Sequence, residues 1–255
     1  MRYTATAATL IAGLVLVTGC SGSNSGPAKS TPRGLNAEIV STEPDPARSA
    51  APLAGMSALQ IWEKTKADAD ETRSVHVAAR FLDGEQINLK MTDAGKVFGV
   101  LKIRGDRVLV RRLGRTLYVN AGRRFWTRNT DADTATKLAA KWITVKKGSS
   151  SDLQQFFQLT DMDFIVSDIM SLSAAEQQTL KLVPGIDIGR HKTVGLAESD
   201  PTEAERQTLY LSATDPALPL NLTFSDSDQF MKFRQWNQDF TVVAPRGAID
   251  LTSAR

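Results

Sequence analysis

The chain has 255 residues, of which 42% are hydrophobic and 23% are charged, and it carries 31 basic and 28 acidic side chains. These proportions are typical of a globular protein and exclude both an intrinsically disordered chain and one that lies mostly within a membrane. The single cysteine excludes an internal disulfide, so packing alone must stabilise the fold.

The N-terminus has the pattern of a bacterial lipoprotein signal. Arg2 precedes an apolar stretch over residues 5–17, which is shorter than the ~20 residues that span a bilayer. Val-Thr-Gly then precedes Cys20, and small residues before a cysteine resemble the lipobox, in which the cysteine thiol receives a diacylglyceryl group. We therefore predict a signal peptide over residues 1–19 and lipidation of Cys20. The two acyl chains of a diacylglyceryl group would give the stable membrane attachment that a single chain does not. The alternative is an ordinary secretory signal with Cys20 near its cleavage site by chance.

A segment rich in Ser, Gly and Pro follows Cys20 and shows no apolar periodicity. This composition predicts a flexible linker over residues 20–55, which would hold a domain away from the membrane. The expected location is the extracytoplasmic face of the cell membrane, with the N-terminal lipid anchor as the contact with the bilayer.

The domain predicted over residues 56–255 begins with a helix and five strands. Ser57 and Gln60 have the spacing of a capping box at the start of SALQIWEKTKADADET. Apolar residues alternate in RSVHVAARF, QINLKM, KVFGVLKIRG, DRVLVRRLG and TLYVNAG, which predicts five strands. The short turns between them indicate an antiparallel meander.

The rest of the domain predicts two helices and then further strands. The helices cover ADTATKLAAKW, with Trp142 on the apolar face, and SDLQQFFQLTDMDFIVSDIM, with a broad apolar face. Strands resume in TLKLV, in HKTVGLAES and in the hairpin QTLYLSATDPALPLNLTFSD. A last long strand is predicted over QFMKFRQWNQDFTVVAP, with a bend near Trp236 and Asn237. This order predicts an α+β fold: a curved antiparallel β-sheet, or half-barrel, with helices packed on its concave face.

This plan resembles the LolA-like half-barrel and, within it, the LppX/LprG family of actinobacterial lipoproteins. The resemblance rests on the lipobox at Cys20 and on SVHVAARF, LYVNAGRRFW, TLYLSATDPALPLNLTF and KFRQWNQDFTVVAP, and it covers about residues 57–252. It implies a membrane-anchored carrier that holds acyl chains of a lipid or glycolipid in an apolar cavity between sheet and helices. A membrane transporter is a further candidate partner.

Five residues of the second predicted helix are candidates for the cavity wall: Phe156, Phe157, Phe164, Ile165 and Ile169. The alternative is that they fill the core, as aromatic residues at helical spacing usually do.

A basic segment over residues 102–128 contains nine Lys and Arg residues and one acidic residue, Asp106. Its candidates for contact with lipid headgroups or the membrane are Arg111, Arg112, Arg123 and Arg124. Adjacent strand residues point to opposite faces, so we expect Arg111 and Arg112 on different sides of the sheet. The alternative is a solvated strand face.

No catalytic or metal-binding motif is present in the sequence. His76 and His191 lack metal-ligand spacing to other ligand types, and there is no Gly-x-Ser-x-Gly, P-loop or Gly-x-Gly-x-x-Gly motif. We therefore expect a protein that is not an enzyme, needs no cofactor and binds no nucleic acid. The alternative function is an anchored interaction or sensory module with a filled core, which would regulate a membrane or cell-wall partner.

Overall fold

The computed structural model describes residues 53–148, 153, 156–198, 207–225 and 227–250. Cys20, the predicted signal peptide and nearly all of the predicted linker lie outside these residues. The described helices are α1 (Ala58–Asp70), α2 (Arg123–Asn129), α3 (Ala132–Leu138), α4 (Phe156–Leu159), α5 (Met162–Ile169) and α6 (Ala174–Thr179). The described strands are β1 (Ser74–Arg80), β2 (Gln86–Thr92), β3 (Lys96–Ile103), β4 (Asp106–Leu113), β5 (Thr116–Ala121), β6 (Trp142–Lys146), β7 (Leu180–Val183), β8 (Thr193–Glu198), β9 (Gln207–Ser212), β10 (Pro219–Phe224), β11 (Phe230–Arg234) and β12 (Ile249–Asp250).

Helix α1 forms where the sequence predicts it. The hydroxyl of Ser57 accepts from the backbone N–H of Gln60 at 3.3 Å, and the Gln60 side chain accepts from the backbone N–H of Ser57 at 2.8 Å. This capping box satisfies two of the N–H groups that a helix start leaves unpaired. Further along the helix, the carboxylate of Asp68 accepts from the backbone N–H of Ala217 at 2.6 Å. This bond joins α1 to the β9–β10 hairpin.

All twelve strands belong to one open sheet, in the order β12-β6-β5-β4-β3-β2-β1-β11-β10-β9-β8-β7. The five predicted strands β1 to β5 are confirmed as an antiparallel meander. The other pairs are also antiparallel, except that the short β12 runs parallel to β6. The α+β class, with a large antiparallel sheet and accompanying helices, is therefore as predicted.

The helices pack on one face of this sheet, which we call the inner face. Along β1, Val75, Val77 and Ala79 are buried, and the intervening residues are more exposed. The same alternation recurs along the meander, so that apolar strand residues and helix residues form one core. Arg111 lies on the opposite, outer face, whereas Arg112 is buried on the inner face, which confirms the prediction that they point to different sides.

The helical middle differs from the prediction at both predicted helices, and it also contains two helices that the sequence pattern does not predict, α2 and α6. The first predicted helix ends at Leu138, and Trp142 begins strand β6 instead of lying on that helix. Ala140 lies between them with a positive φ of 58°, a conformation that ends a right-handed helix. The second predicted helix is divided into α4 and α5, because the Asp161 side chain accepts from the backbone N–H of Phe164 and so caps a new helix.

The last predicted long strand is wrong beyond Arg234, where β11 ends, because the following residues leave the sheet and form a strap, residues 235–250, across the outer face. Its start is fixed where the backbone N–H of Asn237 donates to the carbonyl of Ser74 at 2.9 Å. The Phe240 ring then packs edge-on against Phe98 of β3, with ring centroids 5.4 Å apart. The strap ends in β12, next to β6. Among the described helices, none is long and apolar enough to cross a membrane.

Candidate functional site

The interior between α4, α5 and the sheet contains the predicted wall residues. Phe156, Phe157, Ile165 and Ile169 are buried in the common core, and Phe164 is half-buried and packs against it. The structure thus brings all five together on the side of the helices that faces the sheet. Their burial agrees with either interpretation made from the sequence, a cavity wall or a filled core.

Arg112 joins this helical layer to the sheet. Its Nη1 donates to the carbonyl oxygens of Phe157 at 3.1 Å and Thr160 at 2.7 Å, and Nη1 lies 3.5 Å from the carboxylate of Asp161. Its Nε donates to the carbonyl of Gly114 at 2.9 Å. The residue is only 6% exposed, so the guanidinium supplies buried donors to carbonyls at the break between α4 and α5, where the Thr160 hydroxyl also donates to the Phe157 carbonyl at 3.3 Å. Its position is internal.

The aromatic residues of α2 extend the same interior. The Phe125 ring packs edge-on against Trp126, with centroids 5.1 Å apart, and lies 6.3 Å from the Phe156 ring. Trp126 is 1% exposed, and its indole Nε1 has no hydrogen-bond partner. A buried donor without an acceptor is costly, so this N–H is a point at which the interior could bind an oxygen atom of a ligand.

The other three predicted arginines lie apart from Arg112. Arg111 donates to the carbonyl of Val243 in the strap at 2.9 Å, and its guanidinium lies 5.0 Å from the centre of the Trp142 ring. Arg123 and Arg124 are exposed at the start of α2, and Arg124 is paired with the buried carboxylate of Asp106. The four arginines therefore do not form one cluster, and the headgroup role assigned to them stays a prediction.

The end of the sheet near α2 holds a second buried carboxyl group, that of Glu85. This residue is 4% exposed on the inner side of the β1–β2 turn, and its Oε2 atom has no hydrogen-bond partner. Burial, together with the nearby charge of Asp83, raises the pKa of Glu85 to about 7, although the backbone and charge of Arg104 act in the other direction. Glu85 is thus partly protonated at neutral pH.

A shallow cleft, with room for about one water molecule, lies where the strap begins on the outer face. Its lining consists of Val75, His76, Lys90, Gln235, Gln238 and Phe240. The His76 ring is 2.9 Å from the side-chain oxygen of Asn88, and burial lowers the pKa of this histidine. Within the described part of the chain, no group of three or more His, Cys, Asp or Glu residues could hold a metal ion.

Sequence reasoning missed Leu82, Glu85 and Trp126. Leu82 had a detectable signal, because an apolar residue directly before an Asp-Gly turn is expected at the surface. Trp126 had none, because the missing partner of its N–H follows from the packing of α2 against residues distant in sequence.

By sequence, the chain matches neither a protein-family model nor a curated protein. By structure, it is similar to LprF from Mycobacterium bovis, with a TM-score of 0.51 and 13% identity over 74% of this chain and 97% of LprF. The lipoprotein LppX from Mycobacterium tuberculosis gives a TM-score of 0.46 and 13% identity, over 73% of this chain and 98% of LppX. The likeness to LprF confirms the LolA-like fold that the sequence resemblance implies.

Proposed function

We propose that this protein is a lipoprotein, anchored through Cys20 to the extracytoplasmic face of the cell membrane, and that its domain binds acyl chains of a lipid or glycolipid. The observation that carries the proposal is the fold shared with LprF. The lipoproteins that the sequence resembles hold acyl chains between such a sheet and its helices. The role that follows is to carry or present lipid within the cell envelope, with a membrane transporter as a candidate recipient.

The division between α4 and α5 supports a mechanism for lipid uptake. The two helices have four and eight residues, and a polar break at Thr160 and Asp161 separates them. Short helices can move away from the sheet with little loss of their own hydrogen bonds, which would expose Phe156, Phe157 and Ile165 to an entering chain. Each Å² of apolar surface removed from water then contributes about 25 cal/mol. The process needs no catalytic residue and no cofactor, and we propose that the protein is not an enzyme.

Trp126 supplies a polar contact that suits an acyl ester. Its unpartnered indole N–H lies among aromatic side chains, where an ester carbonyl oxygen would accept a hydrogen bond as the hydrocarbon chain enters the core. Hydrocarbon without a carbonyl would leave that donor unsatisfied. The proposed ligand is therefore an ester-linked lipid with its polar group toward the solvent.

Native mass spectrometry of the Cys20→Ala chain, purified without detergent from an actinobacterial host, tests this function. We expect lipid to remain bound and to be identified after extraction. The Ile165→Phe variant should lower lipid occupancy because it fills interior volume, whereas Ser167→Asn on the exposed side of α5 should not. Lipid-free protein from several independent preparations would contradict the proposal.

A second candidate is an anchored interaction or sensory module with a filled core. The observation that favours it is the burial of Phe156, Phe157 and Ile169 within one continuous core. This alternative predicts that Ile165→Phe lowers the free energy of unfolding, by about 1–3 kcal/mol for an overfilled core, while no lipid is lost because none was bound.

A further inference from the structure

We propose that one end of the sheet docks on the anionic surface of a lipid bilayer, with Leu82 inserted among the headgroups. The docking surface consists of Leu82, Lys102, Arg104, Arg107 and Arg123. This inference deepens the proposed function, because an anchored carrier must bring its domain to the bilayer from which a lipid is taken or to which it is delivered.

Three adjacent segments form this end of the sheet. The pairs Gln86–Lys102 and Ile103–Asp106 place the β1–β2 turn beside the β3–β4 turn. The pair Val108–Ala121 brings the end of β5, and hence the start of α2, to the same side. The segments are also joined by side chains, since Arg124 of α2 pairs with Asp106 directly after the β3–β4 turn. The surface is thus built on a rigid part of the meander.

Leu82 is the apolar part of the docking surface. It is 81% exposed at the tip of the β1–β2 turn. The neighbouring Phe81 and Ile103 are half-buried and pack against the core, so Leu82 stands beyond a supported apolar base. An exposed leucine at the same end of the sheet as several cations suits the boundary between headgroups and acyl chains, where apolar side chains insert and basic side chains bind the headgroups.

The exposed charge around Leu82 is mainly positive because two carboxyl groups of this end are withdrawn from the surface. Glu85 is 4% exposed, and Asp106 is 8% exposed and paired with both Arg124 and Arg128. Lys102, Arg104, Arg107 and Arg123 are exposed. Two exposed acidic residues lie close by, Asp83 in the turn and Asp228, which is 3.5 Å from Arg80. The cations therefore outnumber the exposed acids.

The opposite end of the same strands carries charges of both signs, since the exposed Lys96 and Arg115 lie there beside acidic residues. Burial of Asp163, followed by the nearby charges of Asp161, Asp93 and Asp70, raises the pKa of its carboxyl group. Asp93 follows the last residue of β2, whereas Leu82 and Glu85 precede its first residue. The excess of exposed cations at the Leu82 end turns that end toward an anionic bilayer, and this sets the orientation of docking.

The test uses the Cys20→Ala chain, which has no thiol, with a single cysteine introduced by Leu82→Cys and labelled with an environment-sensitive fluorophore. We expect a blue shift on vesicles of phosphatidylglycerol and phosphatidylcholine, and none on phosphatidylcholine alone. The same label at Val243→Cys, in a residue 66% exposed on the strap, should remain in water. A shift at position 243 without one at position 82 would overturn the proposal.

Charge reversal provides the matched control. The double variant Arg107→Glu/Arg123→Glu should weaken binding of the unlabelled Cys20→Ala chain to these vesicles by about twentyfold or more, since each Lys or Arg near such a surface contributes about fivefold. The variant Lys96→Glu/Arg115→Glu changes the net charge equally at the other end of β3 and β4 and should retain most of the affinity. Equal losses would show nonspecific attraction and refute a defined docking surface. Lipid retained in native mass spectrometry is measured separately, so either proposal can fail alone.

Discussion

Glu85 is a buried carboxyl group whose ionisation opposes folding. The pKa of a glutamate is 4.5 by reference and about 7 in the folded chain, so between these pH values the folded state binds more protons than the unfolded state. The contribution of Glu85 to stability is therefore full below about pH 4.5 and is lost as pH rises through 7.

Replacing Glu85 by glutamine should remove this pH dependence. At pH 8, Glu85→Gln should raise the free energy of unfolding by on the order of 1–3 kcal/mol, because the neutral amide avoids the cost of a buried charge. At pH 4.5 the difference should be near zero. Urea unfolding at the two pH values measures this, with Glu63→Gln on the exposed side of α1 as the control. An equal effect at both pH values would contradict the buried-charge explanation.

Arg111 and Arg112 are adjacent in sequence, but Arg111 bonds to the strap on the outer face and Arg112 bonds to the helical layer on the inner face. Arg112→Met should lower the free energy of unfolding by about 2–4 kcal/mol, since the carbonyl of Thr160 loses its buried guanidinium donor and that of Phe157 is left with the Thr160 hydroxyl. Arg111→Met removes one bond to Val243 on the outer face and should cost about 1 kcal/mol. Hydrogen exchange should show faster opening of α4 and α5 in the first variant alone. Comparable losses in both would refute an internal role for Arg112.

At the scale of elements, the strap depends on how it leaves β11. Asn237 has a positive φ of 58°, and its side-chain oxygen accepts from the backbone N–H of Arg73 at 2.7 Å. Asn237→Ala should therefore lower the free energy of unfolding by about 1–2 kcal/mol, because alanine disfavours the left-handed conformation. Loss of the hydrogen bond should lower it further. Asn237→Gly should be destabilised only by loss of the hydrogen bond, because glycine adopts the left-handed conformation freely. Chemical unfolding and hydrogen exchange over residues 237–250 measure the difference, and an alanine variant as stable as the glycine variant would contradict it.

Elements whose contacts are local could be predicted from the sequence. Strands β1 to β5 follow from alternation and short turns, and α1 follows from its capping box. The strap could not be predicted, because its bond from Arg111 to Val243 joins residues 132 positions apart. The division of α4 from α5 could not be predicted either, because the apolar pattern continues through residues 156–169. The carbonyl groups at the break accept hydrogen bonds from Arg112, which is distant in sequence.

Across the whole molecule, the candidate site could be predicted only in part. Helical periodicity accounts for the burial of four of the five candidate wall residues, with Phe164 half-buried, and their role in a cavity stays a prediction. Whether they line a cavity or fill a core depends on the separation of helices and sheet, which periodicity does not encode. The grouping of basic residues at the Leu82 end also required the strand register, since Lys102 and Asp93 are close in sequence but lie toward opposite ends of the meander.

The proposed anchor and the proposed docking surface would hold the same molecule with different strengths. A diacylglyceryl group at Cys20 would contribute about 0.8 kcal/mol for each buried CH₂, which would make attachment insensitive to salt. The docking surface would act through exposed charges, which are screened beyond about 8 Å at physiological ionic strength. Cys20→Ala should therefore leave a fraction of the protein on membranes at low salt and release it at high salt. The unchanged chain should remain bound in both.

Fractionation at two salt concentrations, with intact mass spectrometry, checks this prediction. The unchanged chain should lack residues 1–19 and carry two acyl chains, and the variant should carry none. Adding Arg107→Glu/Arg123→Glu to Cys20→Ala should release the protein even at low salt, because both attachments are then removed. A Cys20→Ala chain that stays on the membrane at high salt would require a different anchor. A chain of unprocessed mass would contradict lipidation of Cys20.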